Sequence, residues 1–411
     1  MKTMVAALAC ACLAGIGAEL KSGADEVTAE LQSLLAREAE VVVPAREKPY
    51  LVGATLRMRS NQTLVLKPGA VLAAAPDRFH GKNDEFLALD GLENVRLHGY
   101  GAEIRMRKQD YQDARRYGRS EWRHGIVVRD CRKVVIEGVT VRSSGGDGLY
   151  IGTLKPDGYS ADIVVRDCVF DDNHRQGISV ISAERLLVEH CILSNTSGTD
   201  PESGIDFEPN KPTQRLVECV VRDTLAVNNR QLGFHGWLKN VTAETRPVSI
   251  RFERCTAIGG EASAHIGCVV AGGRGAIEFA DCVFTGPKVH GIRLRDKDAR
   301  GVGLVFRNCF ISQVGVKKYT SRRGKGYDLN APIALFTIYK RSATPGGVRF
   351  EECRIIDGEK RPAIVVADPI DFAADGFSRI TGTLSVSTPN AQVMQLHGTR
   401  LEASTDLQIR R

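Results

Sequence analysis

A short apolar strand carrying a cysteine returns again and again along this chain, and such a return restricts the fold to a stack of similar units. The segments are VVRDCVF around Cys168, LLVEHCIL around Cys191, IRFERCTA around Cys255, IEFADCVF around Cys282, LVFRNCFI around Cys309 and VRFEECRI around Cys353. Cys255 and Cys282 lie 27 residues apart, as do Cys282 and Cys309. VVRDTLAV sets Thr224, and VVIEGVTV sets Gly138, at the equivalent place. Apolar and polar residues alternate on either side, which is the period of a strand.

A second element answers the first. A glycine opens an alternating strand at Gly125, Gly148, Gly177, Gly204, Gly233 and Gly291. The steps are 23, 29, 27, 29 and 58 residues, the last being two coils of 29. Each coil therefore holds at least two short strands. A period of this length with almost no helical pattern specifies a stacked β-solenoid. Leucine-rich repeats share the period but need a Leu-x-x-Leu-x-Leu signature that is absent, and a propeller needs a longer unit. Equivalent residues of neighbouring coils then stand about 4.8 Å apart, so the cysteines form an inward-facing column. Stacked neighbours rarely meet disulfide geometry. Most of the eleven cysteines are expected to be free thiols that fill the core.

With the repeat in view, the chain resembles the pectate-lyase-like superfamily, which includes pectin lyases, polygalacturonases and alginate epimerases. The opening region carries the likeness: Pro49-Tyr50-Leu51, Thr55-Leu56 and SNQTLVLKPGAVLAA from Ser60. It is similar to the first coils of polygalacturonase-like chains and extends over 41–380. The resemblance implies an all-β fold, a single-stranded right-handed parallel β-helix. ADEVTAELQSLLAREA (24–39) has helical apolar spacing with a start at Asp25, and a capping helix over 24–40 is expected to cover the open end. Residues 381–411 read as a last coil or a C-terminal tail.

The leader MKTMVAALACACLAGIGAEL has Lys2, an apolar run and small residues near Ala18. It reads as a signal peptide over 1–18 and predicts a secreted or periplasmic protein. No later segment is long and apolar enough to span a bilayer. The net charge of +7 favours acidic partners such as uronic acid polymers. Nucleic acid is not expected, because no basic run is interleaved with aromatics and only 6% of residues are aromatic. A monomer is expected.

The glycine-opened strand places the chemistry. The residue two after Gly should point outward, which gives Val127, Tyr150, Ser179, Asp206, His235 and Arg293. The residue four after Gly gives Arg129, Gly152, Ile181, Glu208, Trp237 and Arg295, and the preceding turn adds His124, Asp147, Arg175, Gln176 and Glu202. The polar type changes from coil to coil, which suits a built site and not a uniformly solvated face. Glycoside hydrolysis needs a protonated carboxyl and a second carboxylate. Asp206 and Glu208 should stand roughly 7 Å apart on one strand, with Asp147 about two coils below. That spacing predicts an inverting hydrolase with Asp147, Asp206, Glu208 and His235 as catalytic residues. Arg175, Gln176, Glu202, Trp122, His124, Tyr150, Trp237 and Arg293 are expected to bind a poly- or oligosaccharide.

Set against the polygalacturonase pattern, Gly146-Asp147-Gly148 partly resembles the first motif, and Gly233-Phe234-His235-Gly236 resembles Gly-His-Gly with one residue inserted. Arg293-Leu294-Arg295 stands for Arg-Ile-Lys, while the Asp-Asp pair is missing unless Asp206 and Glu208 replace it. Two alternatives stay open. A lyase or C5-epimerase would use Arg175, Tyr150 or His235 as base, with Ca²⁺ held by Asp147, Asp206 and Glu208, although the epimerase Asp-Pro-His-Asp motif does not occur. A non-catalytic sugar-binding solenoid is the other. The hydrolase reading requires no cofactor. Phosphate-cradling Gly-Lys-Ser/Thr loops, zinc-type Cys-x-x-Cys pairs and Gly-x-Ser-x-Gly turns are absent.

Overall fold

The computed structural model describes residues 17–320, 323–339, 344–373 and 375–411. Each coil contains three short strands, one more than the minimum read from the repeats. In one coil these are Ser160–Arg166, Val169–Asp171 and Gln176–Val180. In the next they are Ala183–Glu189, Ile192–Ser194 and Ser203–Phe207. Equivalent strands pair in parallel and in register, as Ile178↔Ile205 and Ser179↔Asp206 illustrate. Twelve strands of the third type form one continuous sheet.

The corner between the first and second strands explains part of the sequence rhythm. Asp167, His190, Asp223, Arg254, Asp281, Asn308 and Glu352 all have φ between 48° and 55°. This left-handed conformation is most easily taken by Gly, Asn and Asp, and the Asp or Asn before several of the cysteines serves it. Gly138, with φ 72°, belongs to this corner. The Thr140↔Val169 pairing therefore puts Val139, and not Gly138 as the repeat suggested, level with Cys168.

The described cysteines number nine, and all are free and buried. Most of their thiols donate to main-chain oxygens, as Cys282 Sγ does to Ala280 O at 3.3 Å and Phe252 O at 3.5 Å. Beside them runs an aromatic column. Phe252 stacks on Phe279 with centroids 4.4 Å apart, and Phe279 on Phe306 at 4.9 Å. Burial of each such ring stabilises by roughly 1.5–3 kcal/mol.

The outer face of the first strand carries a ladder of alternating charge. His98, Glu137, Arg166, Glu189, Arg222 and Glu253 follow one another in register. Glu137 is the most enclosed member. It accepts from Arg96 at 2.8 Å, lies 2.9 Å from His98 Nδ1 and pairs with Arg166 at 2.5 Å. A coil slipped by one unit would set like charges opposite each other, so the ladder favours the native register.

The ends differ in detail from expectation. The helix runs Thr28–Arg37 and seals the first coil with Leu31 and Leu35. It starts after Asp25 because the Asp25 main chain is engaged in extended pairing, its carbonyl accepting from Leu51 N at 2.8 Å. Ala18–Glu19 pair with Val41–Val42, so the stack begins within the segment read as a leader; residues 1–16 of that leader lie outside the described residues. At the other end, Met394–His397 pair with Ile364–Ala367 and Asp406–Arg410 with the Ser378–Ser387 strand. Residues 381–411 thus continue the stack. Among the described residues no helix is long and apolar enough to cross a membrane.

Candidate active site

The twelve-stranded sheet sets one residue per coil in a column: Val127, Tyr150, Ser179, Asp206, His235, His265 and Arg293. His265 is the member that sequence reasoning missed. Its strand, Ala262–Gly267, has Ser263 where the neighbouring coils have glycine. The 58-residue step between Gly233 and Gly291 was the available signal, since its midpoint falls at Ala262.

Asp147, Asp206 and His235 lie on one side of the molecule, as their spacing required, but they do not form an open wall. Asp147 and Asp206 are fully buried and His235 nearly so. Above them lie two adjoining cavities. The first, of about 470 Å³, is lined among others by Glu85, Glu121, Trp122, His124, Tyr150 and Arg175. The second, of about 240 Å³, is lined by Asp200, His235, Trp237, His265, Arg293 and Arg295 among others. Arg175 and Glu208 line both.

Arg175 organises the carboxylates. Its guanidinium lies 3.3 Å from Glu208, 3.8 Å from Asp147 and 3.9 Å from Glu121, and these anions raise its own proton affinity. Burial raises the Glu208 carboxyl above the usual range, and the nearby Asp206 adds to the effect. Glu208 thus stands at the junction of the two cavities with a raised proton affinity.

Asp147 is different in kind. Burial pushes it up to about 8, and neither oxygen has a protein hydrogen-bond partner. The adjacent His124 Nδ1 accepts from the Asp147 main-chain N–H at 2.9 Å, and burial moves this imidazole down to about 3. The 3.4 Å approach of His124 to the Asp147 carboxyl is therefore between two neutral groups and is not an ion pair. His124 also stacks on Tyr150, with centroids 4.8 Å apart.

Asp206 sits behind the junction. Its Oδ2 accepts from Gln176 Nε2 at 3.0 Å, and its Oδ1 lies 2.8 Å from His235 Nδ1 without hydrogen-bond alignment. Gln176 also accepts from the Ser203 main-chain N–H. It is wholly buried and lines neither cavity, so it positions Asp206 instead of meeting a ligand as expected. Glu202 likewise lines neither cavity. Its carboxylate is spent on Gly198 N at 2.7 Å, Gln231 at 2.8 Å and Arg230 at 3.2 Å, which fastens the loop that presents Asp200. Trp122, half exposed, and Trp237 offer apolar faces to the first and second cavity respectively. Arg293 donates to His290 and lies over Tyr319.

A family model described as right handed beta helix region matches residues 116–311. The A-module of the mannuronan C-5 epimerase AlgE4 from Azotobacter vinelandii superposes with a TM-score of 0.58 at 13% identity, covering 94% of this chain and 97% of that one. The fold is a right-handed parallel β-helix. A family 28 exopolygalacturonase from Yersinia enterocolitica shares this β-helix with a TM-score of 0.56 at 12% identity, over 93% of this chain and 75% of that one. In sequence, 169 residues are 32% identical to the SPbeta prophage-derived uncharacterized protein YorA of Bacillus subtilis. That match takes in 38% of the present β-helix chain and 28% of the relative's length.

Among the described residues no group of three or more His, Cys, Asp or Glu is placed to hold a metal ion. Where Asp147 and Glu208 converge, the positive charge is already supplied by Arg175. These residues do not fit the Ca²⁺ arrangement expected for a lyase.

Proposed function

We propose that this β-helix is a secreted or periplasmic carbohydrate-active enzyme, acting as a monomer, that hydrolyses glycosidic bonds of a poly- or oligosaccharide. The observation that carries the reading is the Glu208 carboxyl. It faces both cavities, and burial with Asp206 behind it raises its proton affinity above that of an ordinary carboxylate. A saccharide lying along the groove would place its scissile oxygen at this junction.

In this reading Glu208 gives its proton to the leaving oxygen as the bond to the anomeric carbon breaks. Glu121, on the same Arg175 guanidinium and facing the first cavity, takes a proton from the attacking water. Asp206 supports the acid by its charge, and Asp147 is a buried neutral support. Trp122 and Trp237 carry the flanking rings. The hydrolysis needs no cofactor.

Elimination or C5-epimerisation is the second reading, favoured by Arg175, Arg293 and Arg295 around the second cavity. One experiment separates the two. The protein is incubated with a panel of plant and algal polysaccharides and synthetic glycosides, and products are read by reducing ends and by ultraviolet absorbance. Hydrolysis yields reducing ends without absorbance, and an inverted anomer by NMR. Absorbance from an unsaturated uronate, or no product with retained sugar affinity, removes the hydrolase.

A further inference from the structure

His265 enters the second cavity from the coil that sequence reading passed over. It is 2% exposed. Its ring lies on that of His235, with centroids 4.9 Å and planes 12° apart, and Trp237 stands 6.0 Å away. Neither ring nitrogen of His265 has a hydrogen-bond partner in the protein, and His235, whose Nδ1 lies 2.8 Å from Asp206 Oδ1, makes no aligned bond either. A buried polar group without a partner is a standing cost to a fold. Two stacked side chains that both bear it, on the floor of a cavity, point to a ligand that supplies the missing bonds.

We propose that His265 contacts substrate directly, binding a hydroxyl of a sugar ring that rests against Trp237, and so selects an uncharged ring for the second cavity. The inference rests on the reading of the groove as a saccharide site. Its chemistry follows from the imidazole. Burial, helped by Arg295, keeps His265 far below its usual titration range, so it offers one donor and one acceptor. Neighbouring hydroxyls of one sugar can answer both, one accepting and one donating. A carboxylate only accepts and would leave one nitrogen unpaired. The cations of the cavity do not open a carboxylate seat either. Arg293 donates to His290 Nδ1 at 2.9 Å, Arg295 lies 4.5 Å over Trp237, and Arg175 holds Glu208.

The test compares wild type with His265→Leu, which removes donor and acceptor, and His265→Gln, which keeps one of each. Native gels containing a neutral glucan or polygalacturonate report binding without turnover, and kinetics on the substrate found in the panel report KM and kcat. His265→Leu is expected to weaken retardation by the neutral polymer and to raise KM, each by about tenfold, while kcat changes little. His265→Gln should restore most of the loss. Because an unpaired buried group is removed, the unfolding temperature of His265→Leu should not fall; a drop matching the loss of binding assigns His265 to the fold and overturns the proposal. Equal retardation of wild type and His265→Leu, with turnover intact, removes the subsite and keeps the hydrolase. Retardation that depends on His265 without turnover keeps the subsite and removes the hydrolase.

Discussion

Arg175 Nη2 lies 3.3 Å from Glu208 Oε2, and this pair forms the wall common to both cavities of the groove. The arrangement raises the proton affinity of a carboxyl beside a cation, because burial and Asp206 outweigh the guanidinium. Glu208→Gln is expected to reduce kcat by 100-fold or more, on the order of what general acid catalysis supplies. Its unfolding temperature should stay near that of wild type. Wild-type activity should fall as pH rises through the raised Glu208 pKa, and an activity profile of the variant should lack that limb.

Asp147 makes a prediction about stability and not about rate. Its folded pKa, about 8, is far above the ordinary aspartate value of 3.8. Between those values the folded chain holds a proton that the unfolded chain has released, so stability falls as pH rises across the window. Asp147→Asn removes this dependence. Urea unfolding of the variant should show a flatter pH profile from 4 to 8 and greater stability than wild type at the upper end.

The charge ladder predicts the opposite sign. Glu137 is held below the usual carboxylate range: burial opposes this, and His98, Arg166 and Arg96 overcome it. Its contribution is therefore present above the unfolded Glu pKa and lost as pH falls through the depressed folded one. Glu137→Gln should cost about 1–3 kcal/mol at neutral pH and nothing comparable in strong acid, measured by denaturant unfolding at both pH values.

The cysteine column predicts chemical silence. With every described thiol buried and free, alkylation under native conditions should leave those nine unmodified by mass spectrometry. All nine should react together once denaturant unfolds the stack. Partial labelling in the native state would show coils opening independently.

How far the primary structure reached can be judged from particular residues. The glycine-opened strands at Gly148, Gly177, Gly204 and Gly233 put Tyr150, Ser179, Asp206 and His235 in adjacent register, because strand period and coil length leave little freedom. His265 was lost where Ser263 replaced the glycine. Glu121 and Asp200 were not legible because they lie on connections outside the strand columns and obey no period. The burial of Asp147 and Asp206 was illegible for a related reason. An outward-pointing residue is exposed only if nothing is laid over it, and neighbouring coils and loops decide that at Gln176, Arg175 and Glu208.

The column has a consequence for how such a groove changes. Tyr150, Ser179, Asp206, His235 and His265 come one from each successive coil, and a coil touches little beyond the two next to it. Gain or loss of a whole turn would therefore lengthen or shorten the distance between any two of these side chains in increments of about 4.8 Å, leaving the thiol and phenylalanine columns continuous. Chemistry in this molecule is spaced by a ruler whose graduations are its own turns.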